Sequence, residues 1–204
     1  MSYKFFEFAF TTAVKAAQTR YGSRQKYLRF EENGPSNDKI TKRVAEFIAA
    51  RDSFYMGTVS SGGWPYIQFR GGPQGFLKVL NESTLGFAEF QGNGQYISVG
   101  NISQSSKIFI FLMDYANRRR LKIWGHATVI DDDPKLFDRL IDPTYSAVVE
   151  RAICIQVEAW DWNCPQYIPV RYSQSEVDNI VDGLKARIRE LEVNKHIESP
   201  ESLE

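Results

Sequence analysis

Residues 64–102 read WPYIQFRGGPQGFLKVLNESTLGFAEFQGNGQYISVGNI. Strand-forming residues run over 65–70, break at Gly71-Gly72-Pro73, resume over 76–80, and return over 85–90 after Asn81-Glu82-Ser83. A polar Asn93-Gly94-Gln95 turn then opens a short helix. Connections this short join antiparallel neighbours, so the stretch predicts a small antiparallel sheet interrupted by one helix. The N–H groups of a helix's first turn lack partners inside the helix, and beside neutral amide side chains they make a seat for phosphate. Arg70, just before the glycine bend, is a residue type that grips phosphate well. The turn also reads as an ordinary strand-to-helix cap, and the Gly-Gly-Pro segment as a plain bend.

Working outward, 54–60 and 65–70 flank a Ser-Gly-Gly turn and predict a first hairpin. Residues 108–113 are apolar throughout, which predicts a strand buried on both faces. Residues 119–130 predict a long strand bent at Gly125, and Asp133-Pro134 starts a helix ending near Leu140. In the last strand Ile153, Ile155 and Val157 alternate with Cys154, Gln156 and Glu158. Six or more strands without a βαβ rhythm indicate a small antiparallel barrel.

The flanks are helical. Apolar residues at helical spacing from Phe5 to Ala16 predict one helix of about four turns, and residues 20–37 a polar surface connection. Asn37 or Asp38 is expected to cap a second helix with Ile40, Val44, Phe47 and Ile48 on its buried stripe. Ser173-x-x-Glu176 is a capping box, followed by Val177, Ile180, Val181, Leu184, Ile188 and Leu191 on one face. That stripe needs cover, from its own domain or from a second subunit. The expected division is a helical lead-in over 1–52, a barrel over 53–163, and a C-terminal arm and helix over 164–204 at a dimer interface.

Composition narrows the function. The 204 residues hold 25 basic and 25 acidic side chains, a balance that argues against a dedicated nucleic-acid binder. Fourteen Phe, ten Tyr and four Trp suit strands and cores first, and planar ligands second. The two cysteines, Cys154 and Cys164, are not spaced for a disulfide framework. Without a signal-peptide pattern or a membrane-length apolar run, the expected setting is the cytoplasm, with no membrane partner. Two isolated histidines, His126 and His196, do not make a metal site. No nucleophile triad and no dinucleotide fingerprint is present, so any redox chemistry needs a cofactor. Arg118, Arg120 and Lys122 share one strand face, read either as solvated charge or as a second anion contact.

The segments FYMGTVSSGGWPYIQFRGGPQGFLKVL, GFAEFQGNGQYISVGNI, FLMDYANRRRLKIWGHATVI and AWDWNCPQYIPVR, in this order, resemble the pyridoxamine 5'-phosphate oxidase-like proteins, and within them a flavin-nucleotide-binding subgroup. The resemblance implies a β-dominated α+β fold: a six-stranded antiparallel split β-barrel with Greek-key topology and flanking N- and C-terminal helices. It implies FMN as cofactor, lying between the subunits of a homodimer and serving a small-molecule substrate. The ring would lie along Gln68–Lys78, with Arg70 or the Gly72-Pro73-Gln74-Gly75-Phe76 backbone meeting the ring and ribityl chain and Lys78 at the pyrimidine edge. Ala88 and Glu89 would end a strand beside the phosphate. Asn93, Gly94 and Gln95 stand where the oxidases carry a Ser-Arg-Lys phosphate grip, which removes two positive charges. Arg120, Trp160 or Trp162, and Arg171 would come from the partner. The implied activity is a flavin-dependent oxidoreductase. The alternatives are true pyridoxamine 5'-phosphate oxidation, or a non-catalytic module that binds or senses a flavin nucleotide, haem or deazaflavin.

Overall fold

The computed structural model describes residues 3–34, 36–162 and 164–198. Four helices lead in: α1 (Lys4–Ala9), α2 (Thr12–Arg20), α3 (Arg24–Asn33) and α4 (Lys42–Ala49). Seven strands follow: β1 (Ser53–Val59), β2 (Pro65–Gly71), β3 (Lys78–Asn81), β4 (Thr84–Phe90), β5 (Lys107–Asp114), β6 (Arg119–Ile130) and β7 (Val149–Trp162). Helix α5 (Ile97–Gln104) lies between β4 and β5, α6 (Pro134–Leu140) between β6 and β7, and α7 (Gln174–Glu198) comes last.

The strands form one antiparallel sheet in the order β2-β1-β5-β6-β7-β4-β3. Its two edges, β2 and β3, are consecutive in the chain yet not paired. The sheet nevertheless curls on itself. Phe54 of β1 meets Phe87 of β4 at 5.2 Å between ring centroids, although three strands separate them in the sheet. Both belong to one core with Met56, Ile110, Leu112, Leu121, Ile123, Ile153 and Ile155. An antiparallel sheet closed around such a core and left open between two edge strands is a split barrel. It has seven strands where six were expected.

Long β6 bends as expected. The register shifts between Trp124 and Gly125, and a Cβ on Gly125 would lie 2.4 Å from the Gln156 carbonyl oxygen. Only glycine lets the two backbones approach so closely.

Several expectations are corrected. β5 is not buried on both faces: its residues alternate, with Ile108, Ile110 and Leu112 inside and Phe109 and Phe111 half-buried outside. The doubly buried strand is β4, because α6 covers the outer face of the sheet over Ala88 and Ala152. The single N-terminal helix is two. Phe10 leaves the helix to join the rings of Phe6 (4.5 Å) and Tyr27 (5.3 Å), and Thr11 caps α2 by accepting from the Val14 N–H (3.3 Å).

The polar stretch after Arg20 contains α3, made of good helix formers and clamped by a two-pronged Arg24–Glu31 pair at 2.6 and 2.8 Å. Thr41, not Asn37 or Asp38, caps α4. Asn37 is spent elsewhere: fully buried, it accepts from the Phe5 N–H and donates to the Trp160 carbonyl, fixing the lead-in to β7. The capping box of α7 forms as expected, the Ser173 N–H donating to Glu176 at 2.7 Å. No helix among the described residues is long and apolar enough to cross a membrane.

Candidate functional site

Strand β2 alternates, so Tyr66, Gln68 and Arg70 share one face. Strand β4 ends with a register shift at Glu89/Phe90, and the Gln91 N–H donates to the Val148 carbonyl (2.8 Å). The chain then turns through Asn93, whose side chain accepts from the Gln95 N–H (3.2 Å), and through Gly94 at φ +71°. Tyr96 begins α5 in the left-handed region, φ +51°, an uncommon conformation for a bulky residue and one that tends to mark functional positions. These pieces enclose a cleft of about 230 Å3 lined by Tyr66, Gln68, Arg70, Glu89, Asn93, Gly94, Gln95, the first turn of α5 and Glu150.

Two hydrogen bonds hold α5 against the sheet: Ser98 donates to Gln68 (2.7 Å) and Asn101 to Thr58 (2.9 Å). No side chain caps the helix. Its first-turn N–H groups, at Ile97, Ser98 and Val99, therefore stand at the cleft as donors without a helical partner.

The charges are arranged as a chain. Glu89, buried, binds Arg70 through one oxygen (2.7 Å) and Arg151 through the other (3.1 Å). Arg151 also approaches Glu150 (3.5 Å) and Asp131 (3.4 Å), and lies over the Tyr96 ring at 4.8 Å. Burial disfavours its charge, but the hydrogen bond and field of Glu89 outweigh that and raise its pKa. The Tyr96 hydroxyl donates to Glu150 (3.0 Å). Arg70 Nε is buried and makes no hydrogen bond. An uncapped helix start and the Arg70 guanidinium thus share one cleft whose formal charges largely cancel.

The structure brings together five of the sequence-predicted residues here: Arg70, Glu89, Asn93, Gly94 and Gln95. Phe76 and Ala88 line a smaller adjoining cleft of about 190 Å3, with Phe87 and Arg70. Gly72, Gln74 and Arg171 instead line a cleft of about 760 Å3 near the start of α7, where Arg171 lies over Tyr115 at 5.1 Å. Gly75 and Pro73 belong to the turn before it, the Gly75 N–H donating to the Arg51 carbonyl (2.8 Å). Lys78 is on edge strand β3, opposite Gly86 of β4, and lines none of these three clefts.

Trp160 and Trp162 pack against the core, Trp162 edge-on to Phe47 at 4.8 Å and Trp160 donating to the Lys39 carbonyl. The basic strand is largely committed to packing. Arg119 lies over Trp162 (4.9 Å), Lys122 pairs with Asp161 (2.7 Å), and Arg118 sits in the turn at φ +51°. Arg120 keeps one buried Nε without a hydrogen bond.

Sequence reasoning missed Tyr66, Tyr96, Ser98 and Glu150, and reached Gln68 only as the start of the strand expected along the ring. The alternation Tyr66-Gln68-Arg70 was a usable signal for Tyr66. Glu150 arrives on β7 through pairing with β4, which no local pattern encodes. Burial raises the thiol pKa of Cys154 above its ordinary value, so it is not a ready nucleophile. Among the described residues no group of three His, Cys, Asp or Glu could hold a metal ion.

A family profile described as "Pyridoxamine 5'-phosphate oxidase" matches residues 40–177. Similar solved structures include an FMN-binding protein from Syntrophomonas wolfei subsp. wolfei, 14% identical, with a TM-score of 0.50 over 72% of this chain and 97% of that one. HupZ from Group A Streptococcus is 19% identical, with a TM-score of 0.48 over 65% and 99%. No curated protein matches the sequence.

Proposed function

The chain belongs to the pyridoxamine 5'-phosphate oxidase family, and from that premise we propose that it binds FMN as a cytoplasmic flavin-dependent oxidoreductase. The observation that carries this reading is the cleft joining the uncapped α5 start to the guanidinium of Arg70. A phosphate monoester fits that donor set: backbone N–H groups at Ile97, Ser98 and Val99, amides at Asn93 and Gln95, and a guanidinium. Gly94 leaves the backbone open on that side. Phe76 and Phe87, buried in the core, form the apolar floor of the adjoining cleft beside Arg70.

When bound, the flavin supplies the electron-transfer chemistry, and the protein supplies its seat and surroundings. Arg70 and the α5 turn hold the anionic end, while Gln68, fixed by Ser98, keeps one wall in place. Glu89 holds Arg70 extended into the cleft. The same carboxylate offsets the arginine's charge, so the seat has little net positive charge for a second phosphate. That favours an oxidoreductase with a non-phosphorylated substrate over true pyridoxamine 5'-phosphate oxidation.

We further propose a homodimer. Tyr55, Val59, Ile67 and Phe69, 39% to 69% exposed, join Phe109 and Phe111 in an apolar face on β1, β2 and β5. Exposed apolar surface of this kind marks an interaction site. Tyr66 borders both this face and the phosphate cleft, its side chain on the cleft side with Gln68 and Arg70, so a second copy seated there lies one strand away from the ligand.

Titration with FMN should quench flavin fluorescence to a plateau at one flavin per chain. A colourless protein that leaves the fluorescence unchanged would overturn the reading. Replacing Asn93 and Gln95 together with alanine should weaken binding by roughly tenfold, two neutral hydrogen bonds being worth about 1.4 kcal/mol or more. The circular-dichroism spectrum should not change, because neither side chain supports the core. Unaltered affinity in that variant, with loss in Arg70→Ala, would place the phosphate elsewhere.

A further inference from the structure

Helix α7 carries Val177, Val181, Leu184, Ile188 and Leu191, spaced four, three, four and three residues apart. That is the seven-residue repeat of a coiled-coil seam, with a mean spacing of 3.5 residues rather than the 3.6 of a straight helix. None of the five is covered: exposure runs from 38% at Val181 to 61% at Leu184. In heptad terms Val181 and Ile188 occupy a, and Val177, Leu184 and Leu191 occupy d. β-branched residues at a with leucine at d favour two parallel strands.

We propose that α7 pairs in parallel with α7 of a second copy of this chain, forming a two-stranded coiled coil from Val177 to Leu191. The flanking charges suit that arrangement. Arg187 falls at g, and Glu192 at the following e; in a parallel pair these positions face each other, so Arg187 meets Glu192 of the partner subunit. Within one chain Arg187 pairs along its own helix with Glu190 at 2.5 Å.

The seam is roughly 21 Å long, too short to hold two free helices together. It acts as a second contact between copies already paired through their barrels, where the effective concentration of one helix about the other is high. The inference rests on that two-copy assembly. The two surfaces are continuous: Ser173, Ser175 and Glu176 share a cleft with Tyr55 and Phe69, so α7 leaves the barrel at the rim of the apolar face. An α7 lying on the apolar sheet face instead would not bring equivalent residues of two chains together.

The test uses the full chain with exposed Cys164 changed to serine, and a single new thiol from Leu184→Cys. In a parallel pair the two 184 positions oppose each other within disulfide reach. Light scattering should give twice the chain mass before oxidation, and mild oxidation should convert most of the protein to a covalent dimer. Ala186→Cys, on the outer face at f, should give almost none. A dimer by mass that forms no 184–184 link overturns the coiled coil and leaves the paired barrels standing. A monomer by mass overturns both. The substitution touches nothing in the barrel core, so the fold is retained in either case.

Discussion

Glu89→Gln should tighten FMN binding by about tenfold and lower the stability of the ligand-free protein by about 3 kcal/mol. Both effects come from one carboxylate, buried between Arg70 at 2.7 Å and Arg151 at 3.1 Å. Glutamine keeps the shape and one acceptor oxygen but not the charge. Two largely buried guanidiniums then lose their shared counter-ion, the situation in which breaking a buried pair is most destabilising. Arg151 retains Glu150 and Asp131, so the loss sits at the lower end of the range for such pairs. A phosphate dianion in the cleft faces the opposite change: the negative charge that competes for Arg70 is gone. Urea unfolding without ligand and a flavin titration read the two effects separately. Unchanged stability would show that Glu89 does not hold Arg70 and Arg151 in the way its geometry indicates, and weaker binding would show that positioning Arg70 outweighs competing for its charge.

Phe54→Ala should cost about 3–5 kcal/mol, as removing a fully buried aromatic ring does. Its ring stacks on Phe76 at 5.4 Å and meets Phe87 edge-on at 5.2 Å. These contacts join β1 to the segment before β3 and to β4, across the opening of the barrel, so the cavity would lie where the sheet closes on itself. The midpoint of urea unfolding should fall with little change in slope. Flavin affinity should fall too, because Phe76 and Phe87 form the floor of the cleft beside Arg70. A loss below about 1 kcal/mol would mean that the two halves of the barrel are held by other contacts.

Much of this architecture was legible because its signals are local. The limits of β6 follow from the unbroken run after Arg118, and α6 from Asp133-Pro134, whose aspartate accepts from the Leu136 N–H as a cap should. Arg70, Asn93, Gly94 and Gln95 could be grouped because a bend and a helix start bracket them in sequence. The illegible parts depend on tertiary competition. Asn37 has the composition of a cap, but a buried strand offered it better partners. The run 108–113 is apolar throughout, yet Phe109 faces outward to meet Trp124 at 4.8 Å, where the lead-in helices bring Phe5 over it. Glu150 and Arg151 join the site only through the β4–β7 register. Trp160 and Trp162 suggested a ligand wall, since an aromatic that closes a core carries the same pattern as one that lines a pocket.

Tyr66 belongs to two surfaces at once, the rim of the anion cleft and the apolar face of β1, β2 and β5. A residue with its backbone at one surface and its side chain at the other couples two equilibria that would otherwise be independent. If seating a second copy fixes Tyr66 in the position the ligand prefers, each ligand bound favours assembly by the same factor that assembly favours the ligand. Apparent flavin affinity would then rise with protein concentration, and dilution would release cofactor and separate copies together. Tyr66→Ala should uncouple the two, leaving an affinity that no longer depends on how concentrated the protein is.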